Sequence, residues 1–199
     1  MNLKKLNIEN YHVSTWSGGE TKQLFLSPVQ GSYQVGNFDF RVSSASVKVA
    51  ETHFTCLPGY ERLIMSIDHP LTLCHQSAAG GKKIELTPYT AHHFLGSDQT
   101  TSFGKCQDMN LIYRRGLIGK LQACSQNASI RAMSGEFVLV YALEELRVLL
   151  NQGTDIRSSH LKAGSSIVIE RVTESCQLTL TAKTRTEKPI AVVASISAN

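Results

Sequence analysis

Apolar and polar positions alternate twice between residues 38 and 49, in Phe38-Asp39-Phe40-Arg41-Val42-Ser43 and again in Ala45-Ser46-Val47-Lys48-Val49. A period of two sends successive side chains to opposite faces, so these runs predict β-strand. Leu57-Pro58-Gly59 then supplies a turn, and Tyr60 to Ile67 is a further strand candidate. Asp68-His69-Pro70 turns the chain again, and Leu71 to His75 is expected to fold back as a hairpin partner. Ala79-Gly80-Gly81-Lys82 marks the next loop. Lys83 to Leu95 reads as two short strands bent around Pro88, because a proline removes an amide donor and belongs at a bend or an edge. Cys106 to Tyr113 and Leu117 to Cys124 complete the first series.

The second half repeats the style. Phe137 to Leu143 and Leu146 to Leu150 are strand candidates joined at Glu144-Glu145, although the Ala, Leu and Glu content of this stretch also imitates a helix. Asn151-Gln152-Gly153-Thr154 is a turn, followed by strands over Asp155 to Leu161, Ile167 to Glu170 and Cys176 to Thr181. The tail from Glu187 to Asn199 is expected to add an edge strand or to fray. A weak echo joins Ile84–Phe94 to Ser159–Ile169: a polar strand end, a Pro or Gly bend and a return strand. Many short, regularly punctuated strands predict an all-β sandwich or jelly roll rather than a βαβ sheet. The expected division is 1–116 and 117–199, two barrel-like halves packed tightly, with exchange of their terminal strands left open.

Composition narrows the function classes. The 199 residues suffice for a sizeable core, and 42% apolar with 18% charged residues describes a folded chain rather than a disordered one. Twenty Lys and Arg against sixteen Asp and Glu give +4, but the basic residues are scattered, so no electropositive footprint for nucleic acid is expected. The longest apolar runs are too short for a membrane-spanning helix, and the start of the chain lacks a secretory pattern, so a cytoplasmic protein is expected. Cysteines at 56, 74, 106, 124 and 176 show no CxxC spacing and read as reduced core thiols rather than a zinc or disulfide set.

Four blocks in order carry a family resemblance. Trp16-Ser17-Gly18-Gly19-Glu20-Thr21-Lys22-Gln23-Leu24, Phe38 to Ala45, Phe54-Thr55-Cys56-Leu57-Pro58-Gly59-Tyr60-Glu61-Arg62 and Asp108 to Gly116 resemble the corresponding segments of the HutD/Ves family of bicupin-like proteins. That resemblance implies a double-stranded β-helix fold (cupin/jelly roll) in two packed barrels. It also implies an association with histidine utilisation, through binding of a pathway metabolite or regulation of flux. Acidic compounds related to formylglutamate or urocanate are the nearest candidates, and no catalytic reaction is implied.

A small carboxylate needs strong donors in a concave site, and Arg41, Arg62 and Arg114 or Arg115 are the candidates, since a planar guanidinium holds a carboxylate bidentately. The alternative for Arg41 is a structural ion pair with Asp39, Glu51 or Asp108. Trp16 with Gly18 and Gly19 would shape the mouth, through close backbone approach and an aromatic cover; equally, the glycines only turn the chain. Asp108 and Asn110 alternate onto one strand face and would orient the donors.

The expected partner is therefore a small acidic metabolite, with no cofactor, no nucleic acid and no membrane; a homodimer stays open. His92 and His93 are adjacent on a strand and should face opposite ways, and the compact His-x-His of a cupin metal site is missing, so no metal is assigned. A metal-dependent cupin-like oxygenase or isomerase, with histidines from both halves, is one alternative function. A protein-interaction scaffold is the other.

Overall fold

The computed structural model describes residues 3–77 and 80–199. Among them are nineteen strands and a three-residue 3-10 turn, Ile8–Asn10, and the chain divides into two compact units, Tyr11–Leu117 and Met1–Asn10 with Ile118–Asn199. None of these elements is a helix long and apolar enough to cross a membrane.

Strand β1 (Leu3–Leu6) belongs to the second unit. The first unit contains β2 (His12–Trp16), β3 (Gly19–Ser27), β4 (Phe40–Val47), β5 (Glu51–His53), β6 (Tyr60–Ser66), β7 (Leu71–Ser77), β8 (Gly80–Leu86), β9 (His92–Leu95), β10 (Gln99–Phe103) and β11 (Cys106–Arg114). They form a six-stranded sheet, in the order β2-β3-β4-β11-β6-β9, and a four-stranded sheet, β5-β10-β7-β8. Val47, Ile64, Phe94 and Cys106 from the larger sheet meet Leu71, Leu73 and Leu86 from the smaller one in a single buried cluster. Each of these strands therefore turns one alternate set of side chains toward a shared core.

The second unit continues with β12 (Leu117–Cys124), β13 (Ser129–Ala132), β14 (Phe137–Ala142), β15 (Leu146–Gln152), β16 (Asp155–Leu161), β17 (Ser166–Ile169), β18 (Cys176–Ala182) and β19 (Ala191–Ala198). Its sheets run β1-β17-β14-β19-β12 and β13-β18-β15-β16. Val138, Val140, Ile167 and Val193 pack against Val148, Leu150, Leu178 and Leu180 between them. Eight strands repeat the order of the first unit eight places later in the chain: β4-β11-β6-β9 corresponds to β12-β19-β14-β17, and β5-β10-β7-β8 to β13-β18-β15-β16. The echo between Ile84–Phe94 and Ser159–Ile169 is part of this repeat, because β8 to β9 and β16 to β17 are the same crossing from the smaller sheet to the larger.

Three local expectations are corrected. Leu71–Ser77 is not the hairpin partner of Tyr60–Ser66; it pairs with Gly80–Leu86 and Gln99–Phe103 in the other sheet. The corner between them carries the chain across. There the Ser66 hydroxyl donates to the His69 carbonyl, and Asp68 Oδ1 accepts the amides of His69 at 2.7 Å and Gln107 at 2.8 Å. The loop expected at Ala79-Gly80-Gly81-Lys82 lies outside the described residues at Ala79, and its other three residues begin β8. The tail neither frays nor forms an edge: Ala191–Ala198 lies between β14 and β12, with Ala191 to Ala194 buried. A strand of continuous small apolar residues fits an interior place covered on both faces.

Candidate functional site

The register of the six-stranded sheet decides which side chains meet. Ile112 on β11 lies opposite Arg41 on β4 and opposite Arg62 on β6, and Arg62 lies opposite Phe94 on β9. Two arginines thus flank one central strand at the same level, on the face that also carries Asn110 and Asp108. With Tyr33, Phe54 and Trp16 around them, they line a cavity of about 300 Å³, the size class of a small metabolite.

Both guanidinium groups are out of water. Arg62 is 6% exposed and Arg41 8%. Arg62 donates through Nη1 to the Thr55 carbonyl and through Nη2 to Asn110 Oδ1, both at 3.3 Å. Its Cζ lies 4.6 Å from the Phe54 ring centroid and 5.2 Å from that of Phe94. Its Nε–H is buried and has no hydrogen-bond partner among the described residues. Arg41 donates from Nε to Gln23 Oε1 at 3.0 Å, and its Cζ lies 4.2 Å from the Tyr33 ring centroid. Burial lowers the pKa of both arginines from the usual value, yet a guanidinium stays charged in a protein.

Compensating charge is scarce. Asp108, 3% exposed, accepts from Asn110 Nδ2 at 2.7 Å. Burial pushes its carboxyl up to about 7, against the pull of the Asn110 hydrogen bond and the Arg62 charge. Among the described residues neither Arg41 nor Arg62 forms an ion pair. The acids considered as structural partners for Arg41 are otherwise placed: Asp39 pairs with Arg114 at 3.4 Å and Glu51 with His53 at 3.6 Å. The arrangement presents two desolvated cations and one carboxyl poised between charge states, which is chemistry for receiving an anion.

Other residues singled out in the sequence separate. Trp16 lies at the rim and donates from Nε1 to Thr21 Oγ1 at 3.2 Å. Gly18 and Gly19 do not line the cavity. A Cβ on Gly18 would lie 2.0 Å from the Trp16 ring, and one on Gly19 would lie 1.9 Å from the Ser46 carbonyl oxygen. They seat the indole and bring β3 close to β4, a steric task rather than a supply of amides. Arg114 also lies apart, donating to the carbonyls of Gly36 and Phe38 beside its pairing with Asp39. Gln23, Tyr33, Phe54 and Thr55 complete the setting. Phe54 and Thr55 belong to a block that already carried the family resemblance, whereas Tyr33 sits in an irregular loop with no periodic signal.

The histidines make a different arrangement. His92 and His93 face opposite ways: His93 Nε2 lies 2.9 Å from Glu61 Oε2, and His92 Nε2 lies 3.0 Å from His75 Nε2. Thr100 Oγ1 lies 2.9 Å from His75 Nδ1 and 3.3 Å from the Asp98 carbonyl oxygen. No group of three or more His, Cys, Asp or Glu side chains among the described residues is placed to hold a metal. Burial lowers the pKa of both His75 and His92. An unfolded chain takes up these protons near pH 6.5 while the folded one resists, so this contribution to stability is complete above that pH and is lost as the pH falls below it. Denaturant melts between about pH 7.5 and 5 should show a steeper acid loss in the wild type than in a His75→Asn, His92→Gln variant. Equal slopes would remove the pair from the pH response.

Cys106, Cys124 and Cys176 are buried thiols, and burial pushes Cys106 up to about 12; Cys56 is exposed.

Comparison with known proteins follows the same architecture. A sequence model of the HutD family matches residues 8–187. The fold resembles that of a conserved protein of unknown function from Pseudomonas aeruginosa PAO1, with a TM-score of 0.79 at 22% identity, all of both chains being covered. It also resembles HutD from Pseudomonas fluorescens SBW25, with a TM-score of 0.74 at 18% identity and full coverage of both. Oxalate decarboxylase from Lactobacillus farciminis, in a formate complex, gives a TM-score of 0.65 at 8% identity over 100% of this chain and 86% of that one. No curated protein sequence matches the chain.

Proposed function

Because the chain belongs to the HutD family, we propose that it is a noncatalytic binding protein for a small organic acid, linked to histidine utilisation and its regulation. The scaffold on this reading is a bicupin, each eight-strand repeat being one double-stranded β-helix. The observation that carries the proposal is the pair of buried guanidinium groups, Arg41 and Arg62, that line one cavity with no ion pair among the described residues. A desolvated cation without an anionic partner costs several kcal/mol unless something compensates it, and a carboxylate reaching the terminal nitrogens of the two arginines does so with charge-assisted bonds.

Arg41, its Nε already taken by Gln23, meets the ligand through its terminal nitrogens. Asn110 fixes the Arg62 plane, Asp108 fixes Asn110, and Trp16 shapes the rim. Gly18 and Gly19 act through Trp16 and the β3–β4 approach, and Arg114 holds the loop end at Gly36 and Phe38. A noncatalytic role fits a cavity in which, among the described residues, the one buried carboxyl is engaged by Asn110, since a lone carboxyl supplies no acid and base pair.

Calorimetric titration of the protein with short mono- and dicarboxylic acids, each beside its neutral amide, tests the reading. Saturable binding of an acid with no binding of its amide is expected. A folded protein that binds none of the acids, or binds acid and amide alike, ends it.

A further inference from the structure

Arg41 and Arg62 account for one end of their cavity and leave the other end unexplained. Ser43 and Asp108, each 3% exposed, line it beyond the guanidinium groups. The register places Ser43 opposite Asn110 on β11, two residues along β4 from Arg41, and Asp108 opposite Ala45, two residues further. One face of β4 and β11 is therefore a ladder: the arginines at the level of Ile112, then Ser43 with Asn110, then Asp108 with Ala45.

Both side chains have hydrogen-bonding capacity to spare. Asn110 Nδ2 occupies Asp108 Oδ1, and among the described residues nothing is bonded to Asp108 Oδ2 or to the Ser43 hydroxyl. Neither oxygen is sealed in protein, since Arg62 Nε is there the one buried side-chain polar atom without a partner; both open into the cavity they line. An ionised carboxyl accepts, a neutral one also donates, and a hydroxyl does either. Together they complement a group that presents an N–H and a C=O side by side, which is an amide. Asn110 links the two ends of the cavity, through 3.3 Å to Arg62 Nη2 and 2.7 Å to Asp108 Oδ1, so a short aliphatic chain spans the same gap.

We propose that Asp108 and Ser43 select the far end of the bound acid, so that the ligand is a short carboxylic acid carrying a neutral amide rather than a second carboxylate. This rests on the acid-binding reading of Arg41 and Arg62. The ligand N–H donates to Asp108 Oδ2, and the ligand carbonyl accepts from the Ser43 hydroxyl. A second carboxylate at that place would face the Asp108 carboxyl, where the two cannot both stay ionised, so it enters only with a proton. Burial pushes the Asp108 carboxyl up to about 7, so that proton is already in place at about pH 6 and must be taken up at about pH 8. The other charged and titratable groups around Asp108 are Arg62 on β6, Arg41 on β4, His53 on β5 at the rim, Asp68 at the corner after β6 and the Cys106 thiol on its own strand. The two arginines face the ligand carboxylate, and Cys106, pushed up to about 12, keeps its proton throughout.

Three acids of equal chain length separate the two ends: pentanoate, glutarate and the monoamide of glutarate. In calorimetric titrations of the full chain at about pH 8, the monoamide should bind at least about tenfold more tightly than glutarate, and the gap should narrow toward about pH 6. Asp108→Asn offers a carboxylate a donor and has no proton to lose, so it should remove the preference at both pH values. Ser43→Ala should weaken the monoamide about tenfold more than it weakens pentanoate. Glutarate and its monoamide bound alike by the wild type at about pH 8, or a preference that survives Asp108→Asn, overturns the proposal and leaves the arginine end standing. Failure of all three acids to bind overturns it together with the acid-binding reading beneath it.

Discussion

Arg62→Leu should abolish acid binding while leaving the protein about as stable as before. The two results together are informative. A carboxylate held by the terminal nitrogens of Arg62 loses charge-assisted hydrogen bonds worth about 1.5–3 kcal/mol each, so loss of two of them should lower affinity by at least about a hundredfold. The stability effect has opposing parts. The Thr55 carbonyl and Asn110 Oδ1 lose their donors, a cost of about 1–3 kcal/mol each. Against that, a desolvated cation with no ion pair is replaced by an apolar side chain beside Phe54 and Phe94, which removes a desolvation penalty of several kcal/mol. An arginine that served only the fold would show the reverse: destabilisation with no change in ligand affinity. Arg41→Leu should also weaken binding, since Arg41 lines the same cavity. Calorimetry and urea melts on the two variants check both outcomes.

What could be read from the chain differs by scale. Strand identity followed from alternation, and the bend at Pro88 from the missing amide donor. Sheet assignment did not follow, because a period of two says which faces a strand has and nothing about which neighbour it finds. Leu71–Ser77 illustrates this: the pattern was right, and the partner was decided by three hydrogen bonds at the Ser66–Pro70 corner. The tail was misplaced for a related reason, since a short apolar strand looks the same at an edge and in the middle of a sheet.

The cavity shows the same division. Alternation groups Arg41 with Asp39 and Ser43, away from Phe38, Phe40 and Val42, so its place in the cavity was not legible from periodicity; strand register brings it and Arg62 to either side of Ile112. Arg114 lies two positions beyond Ile112 on the same strand, yet at the strand end it turns to Asp39 and the neighbouring carbonyls. Gly18 was open to two readings, close backbone approach or a turn; a Cβ there would meet the Trp16 ring at 2.0 Å, a contact that no periodicity signals. Tyr33 carried no signal because loop residues reach a site through the path of the loop, not through periodicity.

Asp108→Asn should make the empty protein more stable at alkaline pH, by an amount of order 4 kcal/mol. The sign follows from proton linkage. An unfolded aspartate ionises near 3.8, whereas burial holds the folded carboxyl up to about 7, so across that interval the folded state keeps a proton that the unfolded state has released. Stability contributed by the protonated carboxyl is complete below the lower value and is lost as the pH rises through the upper one; the gap between them corresponds to about 4 kcal/mol. Asparagine at this position has no proton to lose and still offers Asn110 an oxygen, so the stability difference should be small near pH 4, grow through the interval and level off above about 7.

The bound acid should use the same group. An anion on Arg41 and Arg62 disfavours a second negative charge on Asp108, so binding promotes protonation, and protonation by reciprocity promotes binding. Affinity of the wild type should therefore rise as pH falls from about 8 to 6, with proton uptake visible as a buffer-dependent heat, and both effects should vanish in Asp108→Asn. A pH-independent affinity in the wild type would separate Asp108 from the ligand and leave it as a stabilising element of the Asn110–Arg62 network alone.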